Sequence, residues 1–306
     1  ESVHSIFRKW RAILDSYPGD RAMCGEAYVL PLSFMALWVR PDEFNQTFNF
    51  RFLDSEWKPE ILYSSINESF EAFDAVGAPS TWVLSNHDII RHATRMGGLT
   101  GRPTASNGIG PNDPQPDREL GLRRARGATL FTLALPGSMY LYQGEELGLP
   151  EHTTLAPEYR QDPTFYRTNG ERVGRDGCRV PLPWEAGVGA ANGFNLTGKS
   201  WLPQPEIYED YSRDRQEGVA GSTLELYKHA LNLRKEFKLG EGSFDWVPEL
   251  VTEHSLGFRN GDILVVHNFG HTPIALPAGE IIASSLHGTA EGHDLVADQT
   301  VWIRTK

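Results

Sequence analysis

The stretch STWVLSNHDIIRHATR, residues 80–95, decides how the rest of the chain is read. Trp82, Val83 and Leu84 form a short apolar run with β-formers in it, and Ser85, Asn86, His87 and Asp88 follow at once. Strand interiors reward apolar or alternating side chains, so packing is a poor explanation of that polar cluster. Polar residues gathered where a strand becomes a loop are the material from which barrel active sites are built. The plainer reading makes Asn or Asp a cap on a helix beginning near Ile89. On these residues alone both readings stand.

Working outward, the same strand-to-polar-loop pattern recurs. Val3, Ile6, Phe7, Trp10, Ile13, Leu14 and Tyr17 fall at helical spacing and stop at Pro18-Gly19. An amphipathic helix is an unusual way to open a domain, so the sequence is expected to begin inside a fold. Residues 21–30, RAMCGEAYVL, read as a buried strand with a polar interruption at Gly25-Glu26, and 44–52, FNQTFNFRF, alternate as a strand would. Residues 59–76 carry Ile61, Leu62, Ile66, Phe70 and Phe73 on a helix closed by Gly77. After the strand at 81–85 comes an irregular excursion at 100–116, rich in Gly, Pro, Asn and Asp. Asp117 then caps a helix to about Leu133, and Pro136-Gly137 turn into a strand at 138–143 that ends at Gly144-Glu145-Glu146.

Strand and helix in repeated alternation predict a parallel α/β sheet. Four strands carry polar or acidic residues at their carboxyl ends: Glu26, Asn49, the 86–88 cluster, and Gln143 with Glu145. The expected fold is therefore the second half of a (β/α)8 barrel over residues 1–238, with the first half preceding Glu1. No Gly-rich fingerprint follows these strands, which argues against a dinucleotide fold. Residues 148–221 are long, polar and Pro-rich, as functional loops are, and 222–237 return to helical periodicity. From 239 to 306 the texture becomes short β-runs at 256–258, 263–268, 274–276, 281–285 and 300–304, a small all-β domain of sandwich type.

The chain has 306 residues and a net charge of −11, so a nucleic-acid partner is not expected. The basic run Arg123-Arg124-Ala125-Arg126 reads as a solvated helix face. No apolar run is long enough to cross a membrane. Only Cys24 and Cys178 occur, which makes no disulfide framework and no metal-ligand spacing. A reducing cytoplasm is the expected compartment, and no cofactor or metal is expected. GFNLTGKS, residues 193–200, matches a phosphate-cradling pattern formally, but no strand precedes it and no helix follows, so its mechanism is missing. The N-x-S/T triplets at Asn45, Asn67 and Asn195 are short enough to arise by chance.

The carboxylates carry more. Glu26 and Asp88 sit at the ends of two strands of one sheet and can converge on one pocket. A glycosidic bond is broken by such groups, one protonating the leaving oxygen and another stabilising positive charge. An enclosed Glu can have its pKa raised enough to act as an acid at neutral pH. The alternative for Glu26 is a salt-bridged core residue, and for His87 a satisfied structural imidazole. Trp82 and Trp184 suit either a sugar face or the core.

With these residues assembled, the chain resembles glycoside hydrolase family 13, the α-amylase superfamily, nearest its α-glucosidase and oligo-1,6-glucosidase branch. CGEAYV at 24–29 resembles the motif around the family's general acid/base, which implies that role for Glu26. LSNHDIIR at 84–91 resembles the motif that supplies a substrate-binding His, here His87, and a transition-state-stabilising Asp, here Asp88. LYQGEELGL at 141–149 resembles the last barrel strand. GRDGCRVPLPW at 174–184 resembles the loop after it, implying that Arg175, or Arg179, anchors the non-reducing glucose. The family's nucleophile, an Asp on an earlier strand, has no counterpart here, and its metal-binding loop also lies outside this sequence.

The resemblance implies a retaining α-glucosidase acting on short α-glucoside oligosaccharides, with the nucleophile supplied by a missing N-terminal half-barrel segment. This chain alone is then expected to be close to inactive. A glucosyl-transferring or isomerising enzyme of trehalose-synthase type is the rival within the family. A non-catalytic partner module is the rival outside it, although that reading predicts eroded motifs whereas Glu26, His87 and Asp88 are all present.

Overall fold

A computed structural model of the chain describes residues 2–98, 108–288 and 294–305, so part of the 100–116 excursion lies outside the described residues. The first helix, α1 (Ser2–Asp15), forms where the apolar spacing predicts it. Of its stripe only Phe7 is buried, packed against Trp38 and Phe44, while Ile6, Trp10 and Ile13 are exposed.

Four short strands follow in alternation with helices: β1 (Cys24–Gly25), β2 (Gln46–Thr47), β3 (Thr81–Val83) and β4 (Ser138–Tyr140). β1 pairs with β2 and β3 with β4, both in parallel. Side chains join the two pairs: Thr81 Oγ1 donates to the Thr47 carbonyl at 2.5 Å, Gln46 Nε2 donates to Ser138 Oγ at 2.6 Å, and the Phe48 and Tyr140 rings lie 4.5 Å apart. Residues 46 to 48 thus advance alongside 138 to 140, so all four strands point the same way and their carboxyl ends share one rim.

The helices between them are α2 (Leu32–Ala36), α3 (Phe50–Leu53), α4 (Pro59–Asp74), α5 (His92–Arg95) and α6 (Arg118–Leu133). α6 begins where sequence reasoning places it, because the Asp117 side chain accepts from the Leu120 amide. The expected strands are shortened: of 81–85 only Thr81–Val83 is strand, and of 138–143 only Ser138–Tyr140. Of 21–30 only Cys24–Gly25 is strand, and of 44–52 only Gln46–Thr47. Asn49 ends the second strand by capping α3, with Oδ1 accepting from the Phe52 amide and Nδ2 donating to buried Ser69. A side chain able to bond its own downstream backbone competes with the sheet ladder, and here it wins.

After β4 the chain is irregular to residue 222 apart from short 3-10 turns and two one-turn helices, α7 (Pro163–Arg167) and α8 (Arg213–Gln216). α9 (Thr223–Glu236) is capped by Ser222. Then come β5 (Asp245–Trp246), β6 (Ser255–Asn260), β7 (Ile263–Asn268), β8 (Ile274–Ala275), β9 (Glu280–Ser284), β10 (Asp294–Leu295) and β11 (Thr300–Arg304). Five of them form a sheet in the order β5-β6-β7-β11-β9, antiparallel throughout, and β8 pairs with β10 separately.

β7, ILVVHN, is buried at every position rather than alternately, because both faces of the sheet are covered. One face sends Phe258, Val265 and Trp302 into the core that holds Leu130, Phe131 and Leu133 of α6. The other packs Leu264, Val266, Val301 and Ile303 against Leu295 and Ile274. Trp302 Nε1 donates to the Leu130 carbonyl at 2.9 Å, fastening the sheet to α6.

Candidate active site

The loop after β3 is where the sequence placed its polar cluster, and its side chains divide by burial. Trp82 is fully buried, and its indole donates to the Pro136 carbonyl at 2.7 Å, so it belongs to the core rather than to a ligand face. The helix expected from Ile89 starts instead at His92, with Arg91 before it, so Asp88 is not its cap. Asn86 Oδ1 accepts from the Asp88 amide and turns the loop outward.

The Asp88 carboxylate is only partly exposed and meets two guanidiniums. Oδ1 accepts from Arg175 Nη1 at 2.7 Å and from Arg179 Nη2 at 2.8 Å, while Oδ2 lies 3.6 Å from His87 Nε2. Arg179 also donates through Nε to the His87 carbonyl at 2.8 Å. The His87 imidazole is 61% exposed, which removes the structural-imidazole alternative. Four of the residues singled out from sequence, His87, Asp88, Arg175 and Arg179, are thus brought together from segments nearly ninety positions apart.

Glu26 stands apart from them. It follows β1 directly on the shared rim, is exposed, and is not a salt-bridged core residue: no ion pair engages its carboxylate among the described residues. Within this chain Glu26 is open to solvent. Beside it, Cys24 Sγ and Gln46 Oε1 lie 3.0 Å and 2.6 Å from the Tyr140 hydroxyl.

Beneath the rim lies a buried polar layer that sequence reading largely missed. Arg91, the last residue of the LSNHDIIR motif, is 1% exposed. It donates to the carbonyls of Gln143 and Cys178 at 2.8 and 2.9 Å, stacks over Tyr142, and offers its amide to Glu151. One side chain therefore joins the loops after β3 and β4 to the 174–184 segment. Gly144 leaves room for it, since a Cβ there would stand 2.7 Å from Arg91 Nη1.

Burial pushes Glu145 up to about 8 and Glu151 up to about 7. Glu145, expected at the rim, instead accepts from the Tyr142 amide below it. Burial also holds His92 well below the usual imidazole range, where its ring bonds Ser85 Oγ at 2.8 Å.

Asp162 is the second residue missed. It is buried, caps α7 through Thr164, and receives the Arg175 side chain at 2.6 Å. Its one legible signal is an Asp before Pro, a helix-start pattern. Nothing local foretells the partner at Arg175.

The stretch at 193–200 has neither a strand before it nor a helix after it, so no phosphate cradle forms. A cavity of about 670 Å³ lies at the amino ends of β3 and β4, lined by Ser80, Pro136, Phe244 and Trp246, and includes no residue of the Asp88 cluster.

The model of the alpha amylase catalytic domain matches residues 2–242. The chain belongs to the alpha-amylase family. A salivary alpha-glucosidase of Anopheles gambiae is 26% identical over 308 residues, covering 94% of this chain and 46% of its own length. A probable alpha-glucosidase of Rhizobium meliloti (strain 1021) is 30% identical over 246 residues, covering 79% of this chain and 40% of its own. Among solved structures, an alpha-glucosyl transfer enzyme, XgtA, superposes with a TM-score of 0.76 at 28% identity, covering 100% of this chain and 54% of that one. The alpha-amylase family chain described here therefore spans less than half the length of those two alpha-glucosidases. Among the described residues no helix is long and apolar enough to cross a membrane.

Proposed function

We propose that this chain carries part of the active site of a retaining α-glucosidase that releases terminal α-linked glucose from short oligosaccharides. The observation that carries the reading is the Asp88 cluster: a carboxylate with one oxygen fixed by two guanidiniums and the other left beside an exposed imidazole. A pyranose ring presents hydroxyls that such an oxygen accepts from and such an imidazole bonds. The four parallel strands are then the second half of a barrel, and its rim is the site.

Glu26 protonates the glycosidic oxygen, then takes a proton from the water that completes the second step. Asp88 and His87 hold the distorted sugar more strongly as positive charge develops on it. Arg175 or Arg179 fixes the non-reducing glucose. An acid working at neutral pH needs enclosure, and here the bound sugar and a segment outside this chain supply it around Glu26. That segment also brings the nucleophile, since no Asp of this chain holds that place. The exposed apolar stripe of α1 is consistent with a further segment packing there.

The likeness to a glucosyl-transferring enzyme favours one second reading, in which a sugar hydroxyl replaces water in the same site. Product analysis on maltose separates the two. Hydrolysis yields glucose alone, whereas trehalose or longer sugars accumulate if transfer is the main reaction. Either reading predicts that the isolated chain of 306 residues turns over a nitrophenyl α-glucoside no faster than background.

A further inference from the structure

Resting on the reading of Asp88 as a sugar-holding carboxylate, we propose that Asp162 is the positioning residue that makes Arg175 meet Asp88 through a single nitrogen. Arg175 is a fork with two usable edges. Asp162 takes one of them: Oδ2 accepts from Nε at 2.6 Å and Oδ1 lies 3.5 Å from Nη2. The Arg175 backbone amide donates to the same Oδ2 at 2.9 Å. The other edge is thereby held so that it meets Asp88 through Nη1, at 2.7 Å.

Asp162 is itself immobilised. Its amide donates to Asp176 Oδ2 at 3.0 Å, and its Oδ1 accepts from the Thr164 amide at 2.9 Å. Gly174, at φ +73°, lets the 174–184 segment close on it, since a Cβ there would lie 2.8 Å from the Asp162 Cβ. The Arg175 guanidinium holds the Asp162 carboxyl well below the usual carboxylate range, although burial alone works in the opposite direction.

The consequence falls on Asp88. Guanidinium and carboxylate prefer a two-point pairing. Released from Asp162, Arg175 turns its freed edge to Asp88 and occupies both oxygens, including the Oδ2 that faces His87 and is left for a sugar hydroxyl. Asp162 thus keeps half of the Asp88 carboxylate open without touching substrate.

The test is a double-mutant cycle in the natural polypeptide, with any segment that precedes Glu1, assayed on a nitrophenyl α-glucoside. Asp162→Asn is expected to lower kcat about tenfold or more while KM changes less than about threefold. In an Arg175→Ala background the same substitution is expected to change kcat less than about twofold. A further full loss in that background means that Asp162 acts through general structure, and overturns the proposal.

If Asp162→Asn does not fold, Asp162→Ser, which keeps an acceptor for the Thr164 amide but releases the Arg175 fork, is expected to show the same drop in kcat, and an unchanged kcat overturns the proposal. Independently of turnover, nuclear magnetic resonance of the 306-residue chain reads the Arg175 Nε–H directly. Its chemical shift is expected to move in Asp162→Asn as the Nε–H exchanges buried Asp162 for part-exposed Asp88, while that of the Arg124 Nε–H, bonded to Asp298 at 2.8 Å, is unchanged. An unmoved Arg175 signal overturns the proposal. Failure of the underlying reading shows elsewhere, as full activity after Asp88→Asn.

Discussion

Asp88 directs Oδ1 to Arg175 and Arg179 and keeps Oδ2 beside the exposed His87 ring, so its charge is compensated without being used up. Replacing it by Asn keeps the shape and one acceptor but leaves Arg179 without its opposing charge and Arg175 with Asp162 alone. Asp88→Asn is expected to lower kcat by about 10²–10³-fold, in the range for removing a preorganised charge-stabilising group, with the far-ultraviolet circular dichroism spectrum unchanged. On the proposed function, His87→Ala loses one hydrogen bond to bound sugar, about 1–2 kcal/mol. Initial rates should show that loss mainly as a rise in KM. At this scale sequence reading went as far as motifs go. His87, Asp88, Arg175 and Arg179 were named because their types and neighbours are distinctive. Asp162 and the tie it makes across thirteen positions of irregular chain have no periodicity to announce them.

Among the elements, α6 joins the strand-and-helix part to the five-stranded sheet. Phe131 is fully buried on it, with Phe258 and Trp57 edge-on at 5.1 and 5.9 Å. Phe131→Ala is expected to cost about 3–5 kcal/mol, read as a lower urea midpoint with an unchanged slope. Asp117→Ala, which removes only the cap, should cost about 1 kcal/mol. α6 and α9 were legible to within a residue because a cap and an apolar stripe are local signals. β1 and β2 were drawn too long, because each makes a ladder of two residue pairs before loop bonds such as those of Asn49 take over. Alternation in sequence records which side chains are buried, not how far a ladder extends.

Across the whole molecule, the buried titratable groups bound the stability in pH from both sides. Glu145 has its folded pKa raised by burial from 4.5 to about 8, so its contribution is full below the unfolded value and lost as pH rises through about 8. His152 is lowered by burial and by Arg160 from 6.5 to about 4, so its contribution is full above 6.5 and lost as pH falls through about 4. Glu145→Gln keeps an acceptor for the Tyr142 amide and removes the first of these slopes. Its Tm is expected to fall less than that of the parent between about pH 6 and pH 8.5, by differential scanning calorimetry, and an identical fall would remove Glu145 as the cause. Such a buried layer cannot be read from sequence, because Glu145 and Glu151 sit in polar loop stretches that look exposed until Arg91 gathers the loops over them.

The central claim is that the rim after β1 and β3 cleaves an α-glucosidic bond with Glu26 as its acid and base. The most direct measurement is turnover of 4-nitrophenyl α-glucoside by Glu26→Ala in the natural polypeptide, with and without azide, an anion that attacks without needing a general base. The account predicts a loss of about 10²–10⁴-fold in the rate-limiting second step, restored by azide with formation of the α-glucosyl azide. Wild-type turnover by Glu26→Ala would contradict it.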